Sequence, residues 1–294
     1  MPPRYTGRFA PSPTGQLHLG SLVAAVGSFL DARHHEGRWL VRIEDLDVRR
    51  VVPGSADEIL RLLEAFGLSW DGPVVYQSRR TELYDCALRE LDSSGLTFRC
   101  TCSRRALAEQ DESCYPGTCR GGPTRPGPAS IRFRVDDLAT VCFEDRIQGR
   151  CELQLAQLGD VVVRRRDGVP AYQLAVVVDD AAQGVTHVVR GADLLSSTGW
   201  QLALARALRL ASPSYAHLPL VVEPDGSKLA KSNRSVPIDP HRRGAWLWEA
   251  LRLLQQNPPP ELAGEPPEVV LGWAAPRWDL RLARGLRTVK MTAT

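Results

Sequence analysis

The sequence predicts an α/β protein built on a parallel sheet and interrupted by a mixed α/β insertion. Three observations carry that prediction. A strand, a tight turn and a helix run over residues 8–31, RFAPSPTGQLHLGSLVAAVGSFLD, and the strand-type run WLVRI follows at 39–43. Strand, helix, strand in that order is a βαβ unit. Two further apolar strand-type runs come late in the chain, THVVRGAD at 186–193 and HLPLVV at 217–222. Between the two halves, residues 84–170 change character, with clustered cysteines and short alternating segments.

Composition sets the class. The chain has 294 residues, 43% hydrophobic residues and a net charge of +3, which fits a packed soluble protein and permits a nucleic-acid partner without arguing for one. No apolar stretch reaches about 18 residues, so no membrane span is expected. No charged start leads into an apolar run, so no secretory signal is expected. Seven cysteines, an odd count, fit reduced thiols and a cytoplasmic location better than a disulfide framework.

In the opening unit, Pro11 and Pro13 lack amide donors and Gly15 tolerates unusual dihedrals, so the first strand must turn there. Leu22, Val23, Val26, Phe29 and Leu30 then recur at helical spacing. His18 and Gly20 therefore sit at a helix N-terminus, where free amides and the dipole favour anions. The second strand ends in Glu44-Asp45-Leu46-Asp47. Ligands gather at such strand ends in an open α/β sheet, and Glu44 is expected beside the Arg8 strand, a buried carboxylate facing a buried cation.

Residues 53–66 read as a helix closed by Gly67. A second helix is expected over 77–91, with Leu83, Tyr84, Ala87, Leu88 and Leu91 inward and Cys86 filling the core. Cys100, Cys102, Cys114 and Cys119 fall within twenty residues, which by spacing alone is a zinc site or a chance cluster. GGPTRPGP at 121–128 is a flexible connection, 131–135 reads as a strand, and 141–166 adds short β segments with Cys142 and Cys151 as structural residues. The apolar run 174–178 ends in Asp179-Asp180, and an arginine, Arg190, leaves the buried strand that follows. Residues 196–210 read as a helix capped by Ser or Thr. After the last apolar strand a turn leads to SKLAKS at 227–232. A short helix around Trp246, Trp248, Leu251 and Leu254 breaks at 257–260, and Arg277, Arg281, Arg284, Arg287 and Lys290 form either a solvated helix face or an RNA-facing stripe.

These strings resemble the class I aminoacyl-tRNA synthetases in their glutamyl branch. The first signature stands as His18-Leu19-Gly20-Ser21 after Arg8-Phe9-Ala10-Pro11-Ser12-Pro13-Thr14-Gly15, with Ser rather than His in its last place. The second stands as KLAKS, with Ala230 in place of the usual Ser, and RIEDLD also matches. The resemblance spans about residues 4–240. It implies a Rossmann-like class I synthetase catalytic domain, of the HIGH/KMSKS nucleotidyltransferase type, split by a mixed α/β insertion with a zinc-binding segment. Its expected divisions are 1–83, the first half of the catalytic domain; 84–170, the insertion; 171–240, the second half; and 241–294, a short helical segment.

The resemblance also implies roles. His18 and Lys231 stabilise the pentacoordinate phosphate, and His18, Gly20, Lys228 and Lys231 bind ATP with its magnesium. Arg8, Phe9, Ala10, Pro11, Ser12, Glu44, Tyr172 and Arg190 bind glutamate. The chemistry of those residues agrees, because two arginines, one carboxylate and a phenol complement two carboxylates and an ammonium. A neutral glutamine would not offset the desolvation of an arginine, which gives discrimination. The CxC and YxxxC strings are similar to the glutamyl-queuosine branch, which implies one structural zinc on Cys100, Cys102, Tyr115 and Cys119, with the adjacent Cys114 as the alternative fourth ligand. That branch activates L-glutamate without tRNA and transfers it to the queuosine base of tRNA(Asp). The implied partners are ATP, L-glutamate and queuosine-carrying tRNA(Asp), and the expected state is a monomer. About 55 residues follow Asp239, too few for an anticodon-binding domain. The rivals are a shortened glutamyl-tRNA synthetase acting at the 3′ end and a non-catalytic RNA-binding relative. His18, Glu44, Arg190 and Lys231 occurring together speak against the latter.

Overall fold

The computed structural model describes residues 4–103, 107, 114–135, 140–223, 226 and 238–291. Strand β1 (Thr6–Phe9), helix α1 (Leu19–His34) and strand β2 (Arg38–Ile43) form the expected βαβ unit, with β1 and β2 parallel from Thr6↔Arg38 to Phe9↔Val41. Helix α2 (Ser55–Ala65) and strand β3 (Val75–Tyr76) follow, and β3 pairs with β2 on the far side from β1. Helix α3 (Thr81–Ser93) leads into β4 (Thr97–Cys100), then β5 (Ser130–Phe133), β6 (Thr140–Asp145), β7 (Gly149–Gln154), a turn of helix α4 (Leu155–Leu158) and β8 (Val161–Arg164). Helix α5 (Tyr172–Ala182), β9 (His187–Gly191), α6 (Leu195–Ala207), β10 (Ser214–Leu218) and β11 (Leu220–Val222) complete the second half. Helices α7 (Arg243–Leu253) and α8 (Pro267–Ala274), several 3-10 turns and β12 (Thr288–Lys290) follow.

The sheet switches direction at β1. Its strand order on one side is β1, β2, β3. On the other side β9 is stitched to β1 by Thr186 N donating to Thr6 O at 2.9 Å and Thr6 N donating to Thr186 Oγ1 at 2.9 Å. Strand β10 lies parallel beside β9, from Ser214↔His187 to Leu218↔Gly191. Because the chain leaves β1 one way and returns the other, a crevice opens at the carboxyl ends of β1 and β9. Helix α1 is apolar on nearly every face because it is covered twice. It shares one core with Val41, Val189 and Leu218 of the sheet and with Leu247 and Leu251 of α7.

Residues 84–170 divide between two sheets. Strands β4, β5 and β8 form a separate antiparallel sheet, whereas β6 returns to the main sheet beside β10 at Tyr215↔Asp145 and brings β7 with it as a hairpin. The open edge of β10 accounts for this, since it offers unpaired backbone groups to the hairpin. The apolar run at 174–178 is the buried face of α5. The inward face of α3 is set by Tyr84, Leu88 and Leu91 at helical spacing. Leu83 lies one residue, about 100°, off that face, and is 42% exposed rather than inward. Cys86 is likewise exposed and fills no core, and Cys142 is exposed too. Helix α6 has no side-chain cap, unlike the expected Ser or Thr capping. The terminal basic residues stand exposed on 3-10 turns (Arg277, Arg281), on the connection after them (Arg284, Arg287) and on β12 (Lys290), not on one helix face. Arg281 is engaged by Asp279 at 2.9 Å.

Candidate active site

A cavity of about 490 Å³ occupies the crevice at the switch point. Its wall is built from Arg8, Phe9, Ala10, Pro11 and Ser12 leaving β1, from His18 and Gly20 at the start of α1, from Glu44 after β2, from Tyr172 opening α5, and from Arg190 at the end of β9. Every described residue of the expected glutamate and ATP sets therefore lines one pocket. Lys228 and Lys231 lie outside the described residues.

His18 is the N-cap of α1 and accepts from Ser21 N at Nδ1 (3.3 Å), while its Nε2 lies 3.2 Å from Ser21 Oγ. Serine in the fourth signature place thus orients the histidine ring. A Cβ on Gly20 would stand 3.2 Å from that ring and crowd it. The first turn of α1 carries no acidic residue, so its dipole faces the cavity uncompensated.

The expected facing of Glu44 and Arg8 takes a different form, because a third residue, Asp180, stands between the cations. Arg8 Nε donates to Asp180 Oδ1 at 3.3 Å, and Arg42 Nη1 donates to the same carboxylate oxygen at 2.8 Å. Arg42 Nη2 in turn donates to Glu44 Oε1 at 3.3 Å. Asp179, the neighbour, is held by Gln77, Arg80 and Tyr84 at 2.8, 2.6 and 2.7 Å. Burial pushes Glu44 above the ordinary carboxylate value, more than Arg42 and Arg8 pull it down. Burial would also raise Asp180, but Arg8 and Arg42 hold it below that value. Arg42, Asp179 and Asp180 were not singled out as site residues by sequence reasoning. Their signal is charge inside or at the end of an apolar run, WLVRI and LAVVVDD.

Arg190 is different. It is 5% exposed, and among the described residues no carboxylate pairs with it. Its Nε donates to His217 Nε2 at 3.1 Å, and its Nη2 donates to Thr198 Oγ1 at 2.9 Å and Leu194 O at 3.3 Å. Its Nη1 is buried and has no hydrogen-bond partner. A buried cationic donor left open at a cavity wall calls for an anionic ligand. Tyr172 lines the same cavity, its phenol raised by burial against the pull of Arg190.

Apart from the pocket, Cys100, Cys102 and Cys119 bring their sulfurs within 4.8 Å of one another. Cys102 and Cys119 are 3.6 Å apart. A tetrahedral zinc with Zn–S bonds of about 2.3 Å holds its sulfurs about 3.8 Å apart. Tyr115 Oη lies 3.4 Å from Cys100 Sγ and accepts from Cys119 N at 2.8 Å, whereas Cys114 is not in the group. Gly159 makes this possible. Its φ is +71°, and a Cβ there would meet Tyr115 N at 2.7 Å, breaking the bridge that seats Tyr115. Burial would raise the Cys119 thiol, but hydrogen bonds from the Thr101 and Thr124 amides, Tyr115 and Cys102 bring it down to about 5. Three thiols and a phenol in reach of one point fit a tetrahedral metal.

The family described as tRNA synthetases class I (E and Q), catalytic domain, matches residues 5–253. A protein of Ectopseudomonas mendocina named Glutamyl-Q tRNA(Asp) synthetase is 52% identical over 282 residues, covering 95% of this chain and 95% of that protein. One of the same name from Aromatoleum aromaticum is 51% identical over 284 residues, covering 95% of this chain and 90% of that protein. Among solved structures, the glutamate-tRNA synthetase of Elizabethkingia anophelis is similar with a TM-score of 0.79 and 25% identity, over 99% of this chain and 68% of that one.

Proposed function

This chain belongs to the class I tRNA synthetases of the glutamyl and glutaminyl type, among the glutamyl-Q tRNA(Asp) synthetases, and on that premise we propose that it activates L-glutamate with ATP and transfers it to the queuosine base of tRNA(Asp). The observation that carries the substrate choice is the open, buried Nη1 of Arg190, a cation with no acidic partner among the described residues. It receives the side-chain carboxylate of glutamate. Glu44 receives the ammonium, Tyr172 closes the pocket beside it, and Phe9, Ala10, Pro11 and Ser12 line the amino acid's path. Arg8, already held by Asp180, adds positive potential rather than a free fork.

In the first step the α-carboxylate oxygen of glutamate bonds to the α-phosphorus of ATP, and the bond to pyrophosphate breaks. The negative charge that builds on the α-phosphate falls at the N-terminus of α1, where His18 and the backbone at Gly20 meet it, and Lys231 and Lys228 take the phosphates. Positioning and electrostatic stabilisation carry such a step with little covalent help. Magnesium enters with ATP, held mainly by the phosphates. In the second step a hydroxyl oxygen of the queuosine base bonds to the glutamyl carbonyl carbon, the bond from that carbon to the AMP phosphate oxygen breaks, and the hydroxyl proton leaves with the AMP phosphate or to water. Every described residue that lines the pocket comes from one chain, which supports action as a monomer. No helix of the described residues is long and apolar enough to cross a membrane. All seven cysteines are free, which supports the cytoplasm as the site of action.

The decisive experiment uses labelled glutamate, ATP and tRNA(Asp) lacking its 3′-terminal adenosine, with and without queuosine. Label that requires queuosine and survives loss of the terminal adenosine is expected. Label only on intact tRNA(Glu) at its 3′ end would make the protein a shortened glutamyl-tRNA synthetase instead.

We assign the cysteine cluster to one structural zinc held by Cys100, Cys102, Cys119 and Tyr115. The Arg132 guanidinium stacks 3.8 Å over the Tyr115 ring and fixes its plane, while burial and the neighbouring thiols push the free phenol up, so the metal itself would have to displace the phenol proton. The expected stoichiometry is one zinc per chain, kept by Cys114→Ser and lost or greatly weakened in Tyr115→Phe. Metal loss in the serine variant alone would move the fourth ligand to Cys114.

A further inference from the structure

Behind Arg190 lies a chain of groups that do not line the cavity. His217 on β10 and Asp145 on β6 are both fully buried, and His217 Nδ1 stands 2.6 Å from Asp145 Oδ2. An ionised carboxylate only accepts, so this contact requires the proton on Nδ1. Nε2 then carries a lone pair, and that lone pair faces the Nε–H of Arg190 at 3.1 Å. The opposite tautomer would set two N–H groups against each other. Thr198, buried on α6, accepts from Arg190 Nη2 at 2.9 Å and has its own hydroxyl 3.2 Å from the same Nε2. Asp145 is itself fixed by the amides of Ile147, Gln148 and His217 at 3.0, 2.8 and 3.1 Å.

We propose that Asp145, His217 and Thr198 form a buried positioning relay that fixes the guanidinium plane of Arg190 and leaves its charge available to the side-chain carboxylate of glutamate. The inference rests on the glutamate reading of the pocket. Its physical content lies in the kind of partner used. A carboxylate placed directly on Arg190 would hold the guanidinium but compete with the ligand for its donors, as Asp180 does for Arg8. Neutral acceptors hold it without doing so. An imidazole alone could present either face, so a carboxylate one step removed selects the accepting face. Two guanidinium nitrogens are tied down and the third, Nη1, is left open. Since Asp145 stands at the turn of the β6–β7 hairpin, this hairpin is part of the amino-acid pocket's support although none of its residues lines the cavity.

The test compares His217→Gln, His217→Leu and Asp145→Asn in the full chain. Glutamine places an accepting oxygen near the position of Nε2, leucine offers none, and Asp145→Asn can donate to Nδ1 and invert the tautomer. Pyrophosphate exchange at varied glutamate and varied ATP gives both KM values. His217→Leu and Asp145→Asn are expected to raise KM for glutamate about 10- to 100-fold, the worth of a hydrogen bond to a charged group. KM for ATP should stay within a few-fold, and His217→Gln should recover most of the loss. Nitrogen NMR of the His217 ring should show Nδ1–H in the native protein and Nε2–H in Asp145→Asn. Equal shifts in both KM values, identical behaviour of the leucine and glutamine variants, or a native Nε2–H ring would each overturn the relay. If the native protein shows no glutamate-dependent exchange, the glutamate reading fails, and the NMR arm still decides whether the ring is held as described.

Discussion

Replacing Arg190 by glutamine is expected to lower kcat/KM for glutamate in pyrophosphate exchange by about 10²- to 10³-fold, the usual range when one partner of a buried charged pair is removed. ATP binding, measured by calorimetry without glutamate, should be unchanged, because the proposed phosphate site is at the start of α1 and not at Arg190. Melting temperature should hold or rise. Arg190 buries a positive charge that no acidic residue among those described offsets, and such a charge costs folding free energy that a ligand recovers only on binding. Activity and stability should therefore separate in this variant. A loss of less than ten-fold would remove Arg190 as the reader of the side-chain carboxylate.

Asp180→Ala is expected to show the reverse balance, with stability as the main casualty. The carboxylate holds Arg8 at 3.3 Å and Arg42 at 2.8 Å, and both arginine side chains are nearly or fully buried. Removing one partner of a buried ion pair costs about 3–5 kcal/mol, or a fall of about 10 °C in melting temperature for a chain of this size. The pH dependence carries a sign. Asp180 is held below its ordinary value in the folded state, so its contribution is fully present above the unfolded carboxylate value of about 3.9 and is lost as the pH falls through the lower folded value. The gap between native and variant proteins should accordingly be constant near neutrality and close in acid. A constant gap down to the acid unfolding limit would mean that Asp180 acts through packing and not through charge.

The parts of the site that sequence alone made legible are those written contiguously. Arg8 to Gly20 turn from strand to helix within one string, so proline, glycine and helical spacing place each residue on the pocket wall. The CxC and YxxxC strings likewise converge because each pair is local. What stayed hidden joins distant segments. Arg42 meets Asp180 across 138 positions, and His217 meets Asp145 across 72. A charged residue inside an apolar run signals burial, but nothing in its own neighbourhood names the partner. Helical phase accounts for Leu83 and Cys86, which lie off the face that Tyr84, Leu88 and Leu91 turn inward. The short parallel pairing of β11 with β12, Leu220↔Thr288 to Val222↔Lys290, has no periodicity long enough to read.

The stitch between Thr6 and Thr186 joins residues 180 positions apart. During synthesis β1 therefore emerges with β2 and β3 available on one side and nothing on the other. At about 5–20 residues per second the ribosome needs roughly 10–35 s before β9 can arrive. Throughout that interval a strand that is buried at all four positions in the finished protein presents a bare edge, the kind of surface that recruits foreign strands. The dependence on so remote a contact also predicts slow folding, and it places the need for chaperone protection early in translation, before the Arg190 wall of the pocket has been made.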